Sequence, residues 1–382
     1  MGLGCACLLV AIVASLSATE IVRVVALRLS AVDRPGGRRS HRRPTPRLGG
    51  LGIFWGFCLA LLLATHAHGV TLESRARVEL LGLLAGGGLM VMAGLVDDVR
   101  GLAWTTKLAL QILAALALER AGWRVESLGV PGLGLVAVGG WSLPWTIAWV
   151  VFVTNALNLI DGLDGLACGV ALVGSIAASF LLAGDAGAGR LVSLALTGAM
   201  LGFLWFNLHP ALIFMGDAGS LFVGFVLSAI ALRAGQRASP ETFPLVPALL
   251  VAVPFADACY AIVRRALGAA RRTRTVVQFL QRARRRLFAP DRGHIHHVLI
   301  QVGLSTRQAV ALLWGAAASF ALSGCMVARH WVPGVVVTAF VASMWLRAYR
   351  RIRRELARPA PATETPSAAP AAEDQGALER AA

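Results

Sequence analysis

Four polar side chains recur at every third position in the stretch 155–166, which lies between two apolar runs. They are Asn155, Asn158, Asp161 and Asp164. In a helix, residues three apart lie on nearly the same face, about 5–6 Å from one another. Because a carboxylate at the centre of a membrane helix costs roughly 2.5–3.5 kcal/mol on insertion scales, such a face indicates a metal ion, a polar ligand or water.

Further carboxylates occur at the ends of two other apolar runs. Asp97 and Asp98 are adjacent, and like charges this close repel each other unless a cation or a proton intervenes. A solvated helix end is the alternative for this pair. Asp217 stands between Gly216 and Gly219, which permit a tight turn at the start of a helix. Asp217 is therefore either the N-cap of that helix or a ligand.

Cationic and imidazole side chains occur in other loops. The candidates are Arg47 in a Pro- and Gly-rich loop, Lys107, Arg292, and the histidines His294, His296 and His297. Arginines beside a membrane can bind lipid headgroups or phosphates, or serve topology alone. Three histidines within four residues indicate a metal or phosphate site, with solvated neutral imidazoles as the alternative. Zinc is less well supported, because no further His or Cys set accompanies the motif.

One more acid, Asp257, follows Pro254 inside an apolar run. We expect it to pair with a nearby arginine, since a charge in an apolar run needs a partner. Support of a functional site is the alternative interpretation of this residue.

The apolar runs between these polar groups are long enough to cross a bilayer. The chain has 382 residues, of which 57% are hydrophobic, and its mean hydropathy is +0.69. About 20 apolar residues span a membrane, so we predict an all-α polytopic membrane protein with about eleven transmembrane helices. The predicted spans are 3–27, 48–67, 78–96, 104–121, 144–160, 166–184, 190–207, 219–235, 243–264, 308–327 and 331–348.

The distribution of basic residues predicts the orientation of these spans. The odd-numbered loops and the C-terminal end hold about three times as many lysines and arginines as the even-numbered loops. Cytoplasmic loops carry such an excess, which places the N-terminus outside and the C-terminus in the cytoplasm. The net charge of +16 is explained in this way, and we do not expect nucleic-acid binding.

Residues 1–355 are predicted to form one membrane-embedded domain. Its long basic cytoplasmic loop, 265–307, contains the histidine motif and, over 274–288, an expected amphipathic helix that lies on anionic lipid. Residues 356–382 are rich in Ala, Pro and Glu and are predicted to be a disordered tail. The Gly-rich segment 128–143 is expected to be external and to form a short hairpin.

All the polar motifs fall on the predicted cytoplasmic side. Carboxylate and amide oxygens are suitable Mg²⁺ ligands, and Arg, Lys and His bind anions. The set therefore predicts a Mg²⁺-dependent phosphoryl transfer at the membrane face. A transporter is the alternative from another class, but it would place ionisable residues near the bilayer midplane and show inverted repeats.

The chain resembles the polyprenyl-phosphate N-acetylhexosamine-1-phosphate transferases over roughly residues 1–350. The resemblance rests on Pro-Thr-Pro-Arg-Leu-Gly-Gly at 44–50, Asp97-Asp98, the 155–166 block, Gly-Asp-Ala-Gly-Ser at 216–220 and His-Ile-His-His at 294–297. The last motif, preceded by Asp291-Arg292-Gly293, is more similar to the UDP-N-acetylglucosamine branch than to the muramoyl-pentapeptide branch.

This resemblance implies a reaction and its partners. The enzyme would transfer a sugar-1-phosphate, most simply N-acetylglucosamine-1-phosphate, from a UDP-sugar to undecaprenyl phosphate and release UMP. Another UDP-N-acetylhexosamine or UDP-muramoyl-pentapeptide remains open as the donor. The reaction would begin a cell-envelope polysaccharide such as O-antigen, at the cytoplasmic face of the inner membrane. The resemblance also makes a homodimer plausible.

The resemblance also implies roles for individual residues. The implied Mg²⁺ (or Mn²⁺) ligands are Asn158 and Asp217, with Asp161 as a catalytic supporting or alternative ligand. The implied catalytic pair is Asp97 and Asp98. The implied substrate-binding residues are Arg47, Lys107, Asn155, Arg292, His294, His296 and His297. We expect Asp164 only to order its turn. We also expect little general-base catalysis from the Asp pair, because a phosphate monoester has its second pKa near ~6 and is mostly dianionic at neutral pH.

Overall fold

A computed structural model describes residues 2–29, 31–33, 44–66, 73–130, 134–185, 187–238, 242–270 and 293–357. Helices dominate these ranges, and the strands within them form two short antiparallel pairs. The predicted amphipathic helix at 274–288, Arg292 and the predicted tail at 356–382 lie wholly or largely outside the described residues.

The α-helices of the described ranges are numbered from the N-terminus. In chain order they are α1 (Gly2–Arg28), α2 (Gly49–His66), α3 (Ser74–Arg100), α4 (Trp104–Arg120), α5 (Ser142–Ile160), α6 (Leu166–Leu181), α7 (Gly189–Asn207), α8 (Gly216–Ala238), α9 (Leu245–Leu250), α10 (Ala252–Ala270), α11 (Ile295–Gln301), α12 (Thr306–Arg329) and α13 (Trp331–Ala357). The strands are β1 (Val32–Asp33), β2 (Thr45–Pro46), β3 (Ser127–Val130) and β4 (Gly134–Ala137).

Eight helices of the described ranges are long and apolar enough to cross a membrane. They are α1, α2, α3, α5 with the 3-10 turn before it, α7, α8, α12 and α13, and α6 is a shorter apolar helix. This confirms the predicted all-α polytopic membrane fold. The ninth predicted span is two helices, α9 and α10, which are separated at Val251. The count of eleven spans and the orientation of the termini stay predictions.

Helix α8 forms the centre of the bundle. Every residue from Ala218 to Gly235 is buried, and α2, α3, α5 and α6 all pack around it. Phe222 on α8 meets Phe57 on α2 edge to face, with ring centroids 5.3 Å apart. Since protein surrounds α8 on all sides, its first turn is a fixed point against which the ends of neighbouring helices are placed.

Glycines allow neighbouring backbones to reach that first turn. A Cβ added to Gly94 of α3 would collide with the backbone of Ala218, and one added to Gly50 of α2 would collide with Gly219. Such close approach requires residues that lack a side chain. The C-terminal end of α3 and the N-terminal end of α2 are thereby held directly against the start of α8.

One of the two strand pairs lies where the sequence predicts a hairpin. Strand β1 pairs with β2 through Val32 opposite Pro46, in the Pro- and Gly-rich loop that contains Arg47. Strand β3 pairs with β4 from Ser127 opposite Ala137, which confirms a hairpin in the Gly-rich segment. The rest of that segment forms the 3-10 turn that leads into α5.

A buried ionic cluster joins α3, α7 and α8 at the other end of the bundle. Arg233 donates to Glu79 at 3.0 Å and lies 3.3 Å from Asp185. Glu79 also accepts a hydrogen bond from the backbone N–H of Ala188 at 3.0 Å. Sixteen helical residues separate Asp217 from Arg233, which corresponds to ~24 Å along α8. The cluster is therefore remote from the polar motifs.

Candidate functional site

The predicted polar motifs meet at one end of the bundle. Helices α3 and α5 finish there, at Arg100 and Ile160, and α4 and α8 begin there, at Trp104 and Gly216. Antiparallel neighbours joined by short loops bring such ends together. The sequence prediction that these loops share one side of the protein agrees with this geometry.

Asp98 caps the helix that carries Asp217. Its two carboxylate oxygens accept hydrogen bonds from the backbone N–H groups of Asp217 and Ala218, at 3.0 and 3.1 Å. A carboxylate at a helix N-terminus satisfies free N–H groups and interacts favourably with the helix dipole. Because Asp98 is the cap, the side chain of Asp217 is not used as one and remains available as a ligand.

Lys107 neutralises two carboxylates at once. Its Nζ lies 2.5 Å from Asp97 and 2.7 Å from Asp217. Asp97 also accepts a hydrogen bond from the backbone N–H of Leu102 at 2.6 Å. The repulsion expected between Asp97 and Asp98 is relieved by separate partners, an ammonium group for the first and a helix N-terminus for the second.

Asn158 is turned towards α8. Its Nδ2 donates to Ser220 Oγ at 2.7 Å and to Asp217 Oδ1 at 3.2 Å. With Nδ2 used in this way, the amide oxygen of Asn158 has no hydrogen-bond partner among the residues the structure describes. An amide oxygen and a carboxylate thus stand side by side, as the sequence predicts for a metal site.

Asn155 is held by a residue that the sequence analysis missed. Gln111 of α4 exchanges two hydrogen bonds with Asn155, at 2.7 and 3.2 Å, and Asn155 also donates to Val151 O at 2.7 Å. Gln111 lies four residues after Lys107, which places both on one face of α4. This four-residue spacing from Lys107 could have identified Gln111 from the sequence. The predicted substrate-binding role of Asn155 is untested, and its amide is already engaged here.

The prediction that Asn155, Asn158, Asp161 and Asp164 share one helical face is wrong. Helix α5 ends at Ile160, so only the two asparagines are helical. The next five residues form turns, and Gly165, which directly precedes α6, adopts φ +77°, a left-handed conformation that does not occur within a regular helix.

Asp161 is a carboxylate without a hydrogen-bond or ion-pair partner among the described residues. Burial, together with the negative charges of Asp217, Asp98 and Asp164, raises its pKa to about 7. A half-buried carboxylate beside other carboxylates favours either a proton or a cation.

Asp164 does more than order its own turn, which corrects the sequence expectation. Its Oδ2 lies 2.7 Å from His209 Nδ1 and accepts from the backbone N–H of Ala211 at 3.1 Å. Arg307 at the start of α12 in turn donates to the carbonyl of His209 at 3.1 Å. Asp164 therefore ties the turn after α5 to the segment that precedes α8.

His294 is buried and oriented by Asp257. The Nδ1 atom of His294 lies 2.7 Å from Asp257 Oδ2, and the backbone N–H of Ile295 donates to Asp257 Oδ1 at 2.8 Å. The prediction that Asp257 pairs with an arginine is wrong within the described residues. The two residues are 37 positions apart, so only the folded chain reveals the pair.

His296 lies against the turn that follows α5. A Cβ on Gly162 would come within 2.6 Å of His296 Nε2. The ring is fully buried, and neither nitrogen has a hydrogen-bond partner among the described residues. Burial, with a smaller effect from His297, lowers the pKa of His296 to about 4. His296 is therefore neutral at physiological pH.

Arg47 reaches the site through its backbone. Its side chain pairs with Asp33 at 3.1 Å, and a Cβ on Gly216 would collide with the Arg47 carbonyl. The backbone N–H groups of Gly49 and Gly50 donate to the segment before α8, to Phe214 O and Met215 O. The loop thus packs onto the start of α8. The predicted substrate-binding role of its guanidinium is untested.

The residues present fit an oxygen-liganded ion, although incompletely. No three His, Cys, Asp or Glu side chains within the described ranges come together closely enough to bind a metal. Mg²⁺ usually takes one or two carboxylates and completes its shell with water and substrate phosphates. Asp217, Asp161 and the amide oxygen of Asn158 match that partial set. Lys107 already occupies one oxygen of Asp217, so a cation would compete with it.

Together these features define a class of protein. It is a polytopic membrane protein with carboxylates, an ammonium group and imidazoles gathered at one end of its helix bundle, as an enzyme acting on anionic substrates requires. The glycosyl transferase family 4 model matches residues 80–235. By this match and the relatives described next, the chain belongs to glycosyl transferase family 4.

Several bacterial proteins are similar along most of the chain. A probable undecaprenyl-phosphate N-acetylglucosaminyl 1-phosphate transferase of Bacillus subtilis is 34% identical over 341 residues, which cover 88% of each chain. The decaprenyl-phosphate N-acetylglucosaminephosphotransferase of Mycolicibacterium smegmatis is 38% identical, over 78% of this chain and 75% of the relative. The undecaprenyl-phosphate alpha-N-acetylglucosaminyl 1-phosphate transferase of Escherichia coli K12 is 27% identical, over 88% and 91%.

Proposed function

We propose that this protein transfers N-acetylglucosamine-1-phosphate from UDP-N-acetylglucosamine to undecaprenyl phosphate and releases UMP. The reaction takes place at the cytoplasmic face of the inner membrane and is the first step of a cell-envelope polysaccharide. The observation that carries the proposal is the meeting of Lys107, Asp217 and Asn158 at the end of a membrane bundle. The relatives are named as N-acetylglucosamine-phosphate transferases that act on a polyprenyl phosphate, which supports the same transfer.

The proposed reaction joins two anionic phosphates. An oxygen of the lipid phosphate forms a bond to the phosphorus that carries the sugar, and the bond from that phosphorus to UMP breaks. Bringing two anions together is costly unless cationic groups surround them. Lys107 provides such a group, and the imidazole cluster 294–297 adds N–H donors for the phosphate oxygens. Mg²⁺ held by Asp217, Asp161 and Asn158 would supply further neutralisation of these oxygens.

The hydrogen bonds of the Asp pair support a positioning role for both residues. Both oxygens of Asp98 are used by the N-terminus of α8, and Asp97 is used by Leu102 and Lys107. The lipid phosphate needs no strong base, since its second pKa near ~6 leaves it mostly dianionic at neutral pH. Asp97 and Asp98 therefore contribute by holding Lys107 and Asp217 in place.

The location of the site suits a lipid acceptor. The polar groups lie at helix ends, where a membrane-bound carrier exposes its phosphate and where a nucleotide sugar arrives from water. The excess of arginines in the loops on this side supports a cytoplasmic orientation, with the N-terminus outside. A homodimer is also part of this proposal, and it rests on family resemblance.

The choice of sugar rests on the relatives' names and on the form of the histidine motif. The alternative donors are another UDP-N-acetylhexosamine and UDP-muramoyl-pentapeptide. Each would leave the chemistry of Lys107, Asn158 and Asp217 unchanged, because these groups are assigned to the phosphates. The experiment below therefore compares donors directly.

The test is a transfer assay with the purified full-length protein in nanodiscs. Undecaprenyl phosphate, Mg²⁺ and sugar-labelled UDP-N-acetylglucosamine are supplied, and both UMP and lipid-linked sugar are measured. We expect equal amounts of both products, and loss of both with EDTA. If UMP and lipid-linked sugar form only with another UDP-sugar, the proposed donor is wrong and the reaction class stands. No product with any donor would overturn the proposal, and uptake of label into proteoliposomes without UMP would indicate a transporter.

A further inference from the structure

Asp257 lies on α10, outside the residues to which sequence or resemblance assigns a catalytic part. It is 4% exposed, and its two oxygens have different donors: the ring of His294 and the backbone N–H of Ile295. A residue that only capped α11 would need the second contact alone. The first contact fixes a titratable ring of the histidine motif.

The ring contact determines how His294 presents itself. The hydrogen bond a histidine makes with one nitrogen sets the state of the other. With Nδ1 carrying the proton that Asp257 accepts, Nε2 is the ring nitrogen left for another partner. His294 is 5% exposed, so its ring has little freedom to turn away. Its Nε2 makes no hydrogen bond to a described residue.

The oriented ring belongs to a stack that leads to the turn after α5. The rings of His294 and His296 are nearly parallel, with centroids 6.0 Å apart and planes inclined by 14°. His296 in turn lies against Gly162, which follows Asp161. Asp257 is therefore connected to the site through His294 and does not itself contact the carboxylates on α3 and α8.

The two histidines differ in what surrounds them. His296 is buried without a partner for either nitrogen, an environment that favours the neutral ring. His294 has a carboxylate at 2.7 Å, which balances the charge of the ring when both nitrogens carry protons. A doubly protonated ring presents Nε2–H as a charged donor, the form that binds phosphate oxygens most strongly.

We propose that Asp257 is a positioning residue of the transfer reaction: it accepts the Nδ1–H of His294 and balances the charge of the doubly protonated ring, so that Nε2–H donates to the phosphates of the nucleotide-sugar donor. This inference deepens the proposed function and rests on it. An Asn at position 257 can still accept the N–H of Ile295. It lacks the negative charge that balances a doubly protonated ring, however, and an NH₂ group that donates to Nδ1 leaves His294 with only a neutral Nε2–H, a weaker donor to phosphate.

The kinetic test is a double-mutant cycle. Asp257→Asn, His294→Gln and the double variant are compared with the wild type in kcat/KM for UDP-N-acetylglucosamine. We expect each single change to lower kcat/KM by roughly 10–100-fold, the range found when a partner that orients a histidine is removed. The kcat/KM of the double variant should be no lower than that of the less active single variant, because Asp257 acts through His294. Losses that multiply would overturn the proposal.

Asp185→Asn is the matched control. Asp185 is likewise a buried carboxylate that accepts a helix N-terminal N–H, that of Gly189 at 3.0 Å, but it lies at the far end of the bundle. We expect this variant to melt at a lower temperature and to keep its kcat/KM. A loss of melting temperature alone in Asp257→Asn would likewise identify Asp257 as a structural residue and contradict the proposal.

A spectroscopic measurement separates this inference from the proposed function. In protein with ¹⁵N-labelled histidine, the ring nitrogens of His294, assigned by their loss in His294→Gln, should change their protonation pattern in Asp257→Asn. An unchanged pattern would overturn the positioning role even if transfer is observed. If the wild type transfers no sugar phosphate, the proposed function fails, while this measurement still decides whether Asp257 controls His294.

Discussion

Asp98 at the end of α3 accepts a hydrogen bond from the backbone N–H of Asp217 at 3.0 Å, so one acid of the site builds the helix turn that presents the other. These residues are 119 positions apart in the sequence. Their contact joins the Asp97–Asp98 pair to the Gly-Asp motif at the start of α8. The role of each carboxylate in this site thus depends on which hydrogen-bond donors its oxygens already bind.

Asp98→Asn should lower the rate and leave its pH dependence in place. An amide oxygen can replace only one of the two acceptors used by Asp217 and Ala218, and loss of a helix cap costs about 0.5–2 kcal/mol of stability. We expect kcat to fall by roughly 10- to 100-fold through misplacement of Asp217. The measurement is a pH–rate profile, in which a shifted acidic limb would instead favour a general-base role.

Lys107→Gln should nearly abolish transfer and at the same time improve binding of a divalent cation to the substrate-free protein. The change removes the ammonium that shares Asp217 and leaves Asp97 and Asp217 without their common counter-ion. Mn²⁺ binding followed by electron paramagnetic resonance checks the second effect. Lys107→Arg is the companion variant and should not restore the rate, because a planar guanidinium does not replace a compact ammonium. Weaker Mn²⁺ binding in Lys107→Gln would show that the lysine does not compete with a cation.

Asn158→Ala and Asp217→Ala should each abolish activity and raise the Mg²⁺ concentration needed for any residual rate. Both remove an oxygen from the proposed ligand set. Asp164→Asn should be milder, since its carboxylate contacts His209 and Ala211 rather than the ligand set, and an amide preserves one acceptor. Mg²⁺ titrations of the three variants provide the test. Greater damage from Asp164→Asn would refute this assignment.

Gly162→Ala should reduce turnover without unfolding the protein. The new methyl group would come within 2.6 Å of His296 Nε2, so the buried ring must move from its place against Gly162. We expect roughly a 10-fold fall in kcat, in line with displacement of a positioned group. Gly184→Ala is the matched control, because a Cβ there has open space. Equal activity of the two variants would mean that the position of His296 does not matter for transfer.

Acidification should destabilise the protein through His296. Its folded pKa of about 4 lies below the ~6.5 of an unfolded histidine, so the unfolded state binds more protons between these values. Stability is therefore lost as the pH falls from about 6.5 to about 4, by at most about 3 kcal/mol. Melting temperatures across this range should fall less in His296→Phe, which has no titrating ring. Parallel curves would exclude His296 as the source.

The sequence predicted the membrane helices well because apolar length alone determines whether a segment can span a bilayer. Every predicted span contains a helix, and eight helices of the described ranges are long and apolar enough to cross a membrane. That alternating spans place 97–107, 155–164 and 216–220 on one side of the membrane stays a prediction. Local features were predicted where a single residue type decides them, as in the β3–β4 hairpin. The divided ninth span, α9 and α10, was not predicted, although Pro254 lacks the N–H that would bond to the carbonyl of Leu250 and so favours a break at this point.

The partners within the site were less predictable. The regular spacing of Asn158 and Asp161 indicated one helical face, but the turn at Gly162 overrides that spacing. Asp257 was assigned to an arginine because charge pairing is the general expectation for a buried acid. Its partner is His294, and this contact forms because the chain returns to α10 after a long loop. Contacts between distant segments follow from tertiary packing, and a single sequence contains no direct signal for them.

The buried cluster of Glu79, Asp185 and Arg233 has a mechanical consequence when it is considered together with Asp98. Helices α3 and α8 are fastened to each other at both ends, by the ionic cluster at one end and by the cap of α8 at the other. Such a pair cannot slide along its length without breaking buried charged contacts. Any closure around a substrate must therefore come from the segments that carry Lys107 and the histidines, while Asp217 remains a stationary reference point.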